Sequence, residues 1–257
     1  MGITPWTTAL YDELTADLLL AGRRPEDVAQ TVAFLTRVLD LSPGDRVFDQ
    51  CCGVGTIATA LADAGLRVVG VDQAASYVAE ATTRDPRLEL YVGDAACFVP
   101  GAPCRGAFSW WTSLGHGDDA STRAMLRCLF ASLEPGGRAA VDFLHMPGIM
   151  RHFEAVTTTE RETRQGRVAL RRESAIDLAT GHMRKRWTYS LPDGRQSVRE
   201  TSLRAYFPHE LVERLVDAGF EPDVSLYGDV DGRPLELDSP RCLVVARRPG
   251  GRGLGHG

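Results

Sequence analysis

Of the 29 basic residues in this 257-residue chain, only Lys185 is a lysine. A GC-rich genome produces such a bias as readily as selection for guanidinium chemistry does, so the bias carries no functional weight. Positive charge is not in excess either: 34 acidic residues give a formal net charge of −5. That balance argues against a protein that holds nucleic acid by neutralising phosphates. The six cysteines, Cys51, Cys52, Cys97, Cys104, Cys128 and Cys242, form no C-x-x-C pair. Three of them sit in apolar runs, where cysteine is a small buried hydrophobe, so reduced thiols and a cytoplasmic location are expected. No uninterrupted apolar segment opens the chain. MGITPWTTALYDELTADLLLAG has no positive start and is broken by Asp12, Glu13 and Asp17, which fits neither a signal peptide nor a membrane span. There is no internal repeat, and no Asp, Glu and His grouping with metal-ligand spacing. With 44% hydrophobic residues the chain can bury the core of one large or two small domains.

A helical N-terminal region over about 8–22 and 25–40, the second helix opening at Pro25 with acidic residues in its first turn, gives way at LSPGD to a different rhythm. The short apolar runs RVFDQC, RVVGVD, LELYV, AFSWWT and RAAVDFLH then alternate with segments of helical spacing. This is the pattern of a parallel sheet with helices on both faces, whose strands all end on the edge where ligands of such sheets bind. Between about 157 and 206 the pattern changes to three extended segments with turns at ATGH and PDGR, an antiparallel insertion. Residues 160–206 hold eleven basic and six acidic residues. They read either as a solvated strand face or as a cover that meets an anionic substrate. FPHELVERLVDAG returns to a helix, and VSLYGD and RCLVVARR supply two last strands. The organisation is therefore a helical lid (1–40), a core (41–156 and 207–247), the insertion (157–206), and a glycine-rich tail (248–257) expected to fray.

The most informative stretch is VFDQCCGVGTIATALADAG at 47–65: a strand, Gly53-x-Gly55, then a helix. Paired glycines let the backbone turn tightly and approach a ligand, beside the free amides of a helix start. Nicotinamide and flavin enzymes use the same device. Asp72 ends the next strand, seventeen residues after Gly55, where a carboxylate takes both hydroxyls of a ribose; capping the following helix is its alternative role. Asp49 precedes the glycines, where it would repel a pyrophosphate but suits a ligand carrying an ammonium and a sulfonium. YVGDAACF places Asp94 and Ala95 beside the same crevice, where they suit an adenine edge.

In VFDQCCGVGT, VVGVD, VGDAACF, LEPGGRAAVDF and LRAYFPHELVERLVDAGF, in that order, the chain resembles the class I S-adenosylmethionine-dependent methyltransferases from about residue 28 to 247. The resemblance implies an α/β, Rossmann-like, seven-stranded mixed sheet with its last strand antiparallel, and S-adenosyl-L-methionine as cofactor with S-adenosyl-L-homocysteine as product. It places Asp49, Gly53 and Gly55 along the methionine part, Asp72 on the ribose, and Asp94 and Ala95 on the adenine, with Cys51 and Gln73 beside them. Gln50-Cys51-Cys52 departs from the small or apolar residues and extra glycine usual in the family.

Acceptor-side groups must lie after strands four and five. His116 and His145 are the candidates to accept a proton or orient the acceptor. Of Trp110 and Trp111, one packs in the core and the other walls the pocket, with Trp110 assigned to the donor and Trp111 to the substrate. Trp6 and Tyr11 suit a closing lid, Tyr11 as a further catalytic candidate, and Arg204 and Tyr206 fall at the mouth, where an arginine pairs with a carboxylate or phosphate. No Asn-Pro-Pro-Tyr-type loop follows strand four. A small polar metabolite of secondary metabolism, methylated on nitrogen or oxygen, is the favoured acceptor, with no nucleic-acid or membrane partner. A nicotinamide-dependent oxidoreductase and a non-catalytic binding protein are the alternatives. The oligomeric state stays open, a homodimer through the lid or insertion included.

Overall fold

A computed structural model of the chain describes residues 24–163 and 165–250. The anticipated helix over 8–22, and with it Trp6 and Tyr11, lies outside them. Helix α1 (Pro25–Val38) starts where Pro25, Glu26 and Asp27 predict, because proline is pre-set for a first helical turn and acidic groups complement its free amides.

The strands β1 (Arg46–Gln50), β2 (Arg67–Asp72), β3 (Glu89–Val92), β4 (Cys104–Ser109) and β5 (Leu133–Phe143) alternate with α2 (Thr56–Asp63), α3 (Ala75–Arg84) and α4 (Asp119–Ala131). After β5 come α5 (Met146–Arg151), a second sheet, α6 (Pro208–Asp217), β10 (Ser225–Tyr227) and β11 (Cys242–Arg247). The main sheet has the order β10-β11-β5-β4-β1-β2-β3, parallel from β3 to β5, with β11 antiparallel to β5. Its order reverses between β1 and β4, so a crevice opens at their carboxyl ends.

Alternation along the strands builds two cores. Val47, Phe108 and Leu243 pack against α1 and α2, through Phe34, Leu35, Ile57 and Leu61. Phe48, Ala107 and Val244 face the other way, towards Leu126 and Leu129 of α4 and Leu211 and Leu215 of α6. Each such fully buried side chain contributes roughly 1.5–3 kcal/mol.

The second sheet has four strands, β6 (Val156–Thr163), β7 (Gly166–Asp177), β8 (His182–Ser190) and β9 (Gln196–Arg204), in sequential antiparallel order. The reading of three extended segments misses β6. That strand, VTTTERET, is an edge strand with mostly exposed residues, so it lacks the apolar alternation that reveals a half-buried strand.

One long-range knot fixes the loop after β4. Asp142 on β5 accepts from the Trp111 backbone N–H at 2.8 Å and pairs through both carboxylate oxygens with Arg241, whose guanidinium lies 5.2 Å from the Trp110 ring centroid. Asp142→Ala would strand a half-buried guanidinium and a backbone donor. Urea denaturation should show a loss of about 2–3 kcal/mol, partly recovered in Asp142→Asn, which keeps an acceptor for Trp111.

Candidate functional site

A cavity of about 330 Å3 occupies the crevice. Its walls come from the ends of four of the five parallel strands, β1 to β4: Asp49 with parts of the glycine loop and the start of α2, Asp72 and Gln73, Gly93 to Cys97, and Trp110, Trp111, Ser113, His116 and Gly117, closed by residues of α4.

The glycine loop follows from local chemistry. Cys51, Gly53 and Gly55 all have positive φ, at 70°, 54° and 71°. The Asp72 carboxylate holds this turn in place. One of its oxygens accepts from Gly53 N–H at 2.9 Å and the other from Ala74 N–H at 2.9 Å. Asp72 thus ties the loop to the turn before α3, whose N-cap is Ala74 without a side-chain cap. Burial raises its carboxyl above the usual range, opposed by those backbone donors.

Asp49 is only 3% exposed. Burial first, then the charge of Asp72, pushes its carboxyl well above the usual carboxylate range, and among the described residues no cation or hydrogen-bond donor offsets it. A buried carboxylate without a counter-charge is costly unless a cation arrives. Cys51 shares a hydrogen bond with Ser113, yet burial leads the causes that raise its thiol.

Gln73, Asp94, Ala95, Trp110, Trp111 and His116 all line the cavity with Asp49, Cys51, Gly53 and Asp72. Asp94 braces its own loop by accepting from Ala96 N–H at 2.9 Å. Gly55 is corrected. A Cβ there would lie 2.9 Å from that of Ala81 on α3, so its bare backbone serves helix packing and the left-handed start of α2 and does not wall the cavity. Trp110 belongs to both settings, packed near Phe34 and Phe108 while bordering the cavity. The two tryptophans do not diverge from an extended strand as supposed. β4 ends at Ser109, and Trp111 and Thr112 adopt positive φ of 55° and 61°.

His116 reaches the cavity, with Nε2 3.0 Å from the Thr112 carbonyl. That oxygen only accepts, so Nε2 carries the ring proton and Nδ1 is the acceptor nitrogen. Burial, reinforced by the charge of Lys185, pushes its pKa down to about 4. His145 is corrected: it is 4% exposed, precedes α5, and turns Nε2 to the Leu237 carbonyl at 3.2 Å, away from the cavity. Arg204 and Tyr206 are corrected as well. The Tyr206 hydroxyl donates to Asp119 at 2.7 Å, Arg204 pairs with Glu210 at 2.8 Å, and the guanidinium stacks 4.6 Å over the tyrosine ring. Together they fasten β9 and α6 to the start of α4.

Sequence reasoning misses Gln50, whose buried amide donates to the carbonyls of Ala95 and Met125 at 3.1 and 3.0 Å and so spaces two cavity walls. A glutamine inside an apolar strand was the available signal. Asp142 is a second, an acid within RAAVDF.

Because the Asp49 carboxyl titrates above its ordinary range, the stability it confers is complete below the ordinary carboxylate pKa and is lost as pH rises through the raised value. Ligand-free Asp49→Asn should therefore unfold at higher temperature than the parent, by a margin that grows as pH rises from about 4 towards neutrality. Thermal scans across that range check it; a variant less stable at neutral pH would contradict it.

Residues 47–137 match a family described as a methyltransferase domain. Among curated proteins, an S-adenosyl-L-methionine-dependent Diels-Alderase of Talaromyces variabilis is 36% identical over 112 residues, 40% of this chain and 37% of that protein. An uncharacterised methyltransferase of Synechocystis is 29% identical over 109 residues, 42% of this chain and 51% of that one. The chain thus spans about half or less of the curated relatives it matches. Among solved structures, the CcbJ methyltransferase of Streptomyces caelestis superposes with a TM-score of 0.76 at 20% identity, covering 95% of this chain and 96% of that one. An amino pentose methyltransferase of Micromonospora echinaspora, from calicheamicin biosynthesis, gives 0.69 at 23%, covering 88% and 92%. Residues 47–137 thus match a methyltransferase domain, and the sheet order is that of the fold shared with these solved methyltransferases.

Proposed function

We infer that the protein transfers a methyl group from S-adenosylmethionine to a nitrogen or oxygen of a small polar metabolite. The observation that carries this reading is Asp49, a buried carboxylate without a counter-charge among the described residues, set beside Asp72 in a cavity at the strand ends. That donor set fits a nucleoside bearing an ammonium and a sulfonium and opposes the pyrophosphate of a nicotinamide cofactor. The bound cofactor supplies an activated methyl with its leaving group already in place. What falls to the chain is alignment, on the order of 7–11 kcal/mol for well-oriented partners.

Asp72 offers its remaining lone pairs to the ribose hydroxyls, Asp49 meets the ammonium end, and Asp94 with Ala95 borders the adenine. Trp110 and Trp111 stand at the acceptor end, where an aromatic face favours a sulfonium. His116, with a pKa about three units below neutrality, is too weak a base to deprotonate a hydroxyl efficiently. Its neutral ring instead orients the acceptor. The amino pentose methyltransferase and the sugar and glycopeptide N-methyltransferases among the structural neighbours are compatible with a small polar acceptor, and nitrogen is the one that needs least help. The Diels-Alderase among the relatives is S-adenosyl-L-methionine-dependent by name, a second reaction class that the same cofactor serves.

Isotopically labelled S-adenosylmethionine should bind the parent at micromolar level, and Asp72→Ala should weaken it at least a hundredfold; unchanged binding would sink the site assignment. With an acceptor found by screening a library for S-adenosylhomocysteine release, His116→Ala should lower kcat about 10–100-fold without moving the pH profile between about 6 and 8. An inflection near neutrality that vanishes in the variant would instead make His116 the base.

A further inference from the structure

The four-stranded sheet sorts its charges by face. From the register of β6 to β9, Glu160, Glu162, Glu173, Asp177 and Glu200 fall on one face, where Arg167, Arg171 and Arg184 pair with acids. The opposite face carries the buried Leu170, Met183, Trp187, Tyr189, Thr201 and Leu203. Between them stand Arg172 and Lys185, with Arg161 and Arg199 also on this face, and no described strand residue on it is acidic. Arg172 is opposite Trp187 in register, and Lys185 lies between Ser174 and Thr201. Both cations reach the Trp187 ring, the guanidinium carbon at 5.7 Å and the ammonium at 6.0 Å.

Neither cation has a carboxylate partner among the described residues, and the buried Arg172 Nε has no hydrogen-bond partner there. The Lys185 ammonium is pushed below its ordinary range by burial and then by Arg172, with no acid acting in the opposite direction. Two adjacent like charges against the Trp187 ring, with no counter-ion among the described residues, destabilise a resting protein. Such an arrangement is explained by an anion that arrives from outside.

This face meets the loop after β4 that walls the donor cavity. Arg204 at the end of β9 donates its backbone N–H to the Gly115 carbonyl at 2.8 Å, and a Cβ on Gly115 would lie 3.2 Å from Leu203, which shares the face with Thr201. The next residue is His116, and the charge of Lys185 is among the causes that hold its ring neutral.

We propose that Lys185 and Arg172 form an anion-binding subsite that receives a carboxylate or phosphate ester of the methyl acceptor and so presents its nucleophile at the His116 edge of the cavity. The subsite replaces Arg204 in the role anticipated from sequence, since Arg204 is committed to Glu210. It rests on the proposed methyl transfer for the acceptor's identity, but anion binding is measurable without turnover.

Lys185 being the chain's one lysine, amine-selective acetylation followed by peptide mass spectrometry reads this site directly. With the full chain saturated in S-adenosylhomocysteine and ionic strength fixed by sodium chloride, inorganic pyrophosphate or citrate should slow acetylation of Lys185 saturably. Arg172→Met should raise the half-protecting concentration about tenfold while the S-adenosylhomocysteine affinity stays unchanged. Protection by pyrophosphate alone marks a phosphate-bearing acceptor, and by citrate alone a carboxylate. No protection by either, or protection undiminished in Arg172→Met, overturns the subsite. Loss of S-adenosylhomocysteine binding by the parent would overturn the donor reading instead. Lys185→Met separates binding from scaffolding: its ligand-free melting temperature should equal or exceed the parent's, whereas a lower one would make the lysine structural and overturn the proposal.

Discussion

The hydrogen bond from Gly53 N–H to the Asp72 carboxylate is the constraint on which the site depends. It joins the turn after β1 to the end of β2, so the glycine loop is held by the neighbouring strand and not by its own sequence. With Ala74 N–H on the other oxygen, one side chain sets both the approach to α3 and the path of the loop. Burial raises its carboxyl and two backbone donors oppose that rise, which is how an acid remains usable there.

Asp49 has no such donors among the described residues, a contrast between the two acids. Asp72 is stabilised by the fold, while Asp49 is left for a cation to complete. Ligand-free folding therefore runs against the site's electrostatics, a conflict of the kind expected where function overrides local consistency. The inner face of the second sheet repeats the conflict with the opposite sign in Lys185 and Arg172. A carboxylate-lined pocket for a cationic donor thus adjoins the cationic subsite proposed for the acceptor, an arrangement that orders two ligands by charge.

Much of this was readable from residues alone because it rests on local pattern. Apolar runs punctuated by glycine and aspartate mark the strands β1 to β5, and paired glycines followed by an acid at the next strand end mark the cavity. What stayed hidden depends on partners far along the chain. His145 looked available until the Leu237 carbonyl, 92 residues away, was placed against it. Tyr206 and Arg204 looked like a mouth until Asp119 and Glu210 claimed them. The turn of Trp111 and Thr112 out of an extended path depends on Asp142, 31 residues beyond Trp111. Strand β6, polar on both faces, left no periodic trace.

The most direct measurement of the central claim is a crystal structure of the protein soaked with S-adenosylhomocysteine. The account predicts density in the cavity at the strand ends, with the ribose hydroxyls on Asp72, the amino group towards Asp49, and the adenine beside Asp94 and Ala95. An empty cavity under saturating ligand, or a pyrophosphate-containing cofactor in its place, would contradict it.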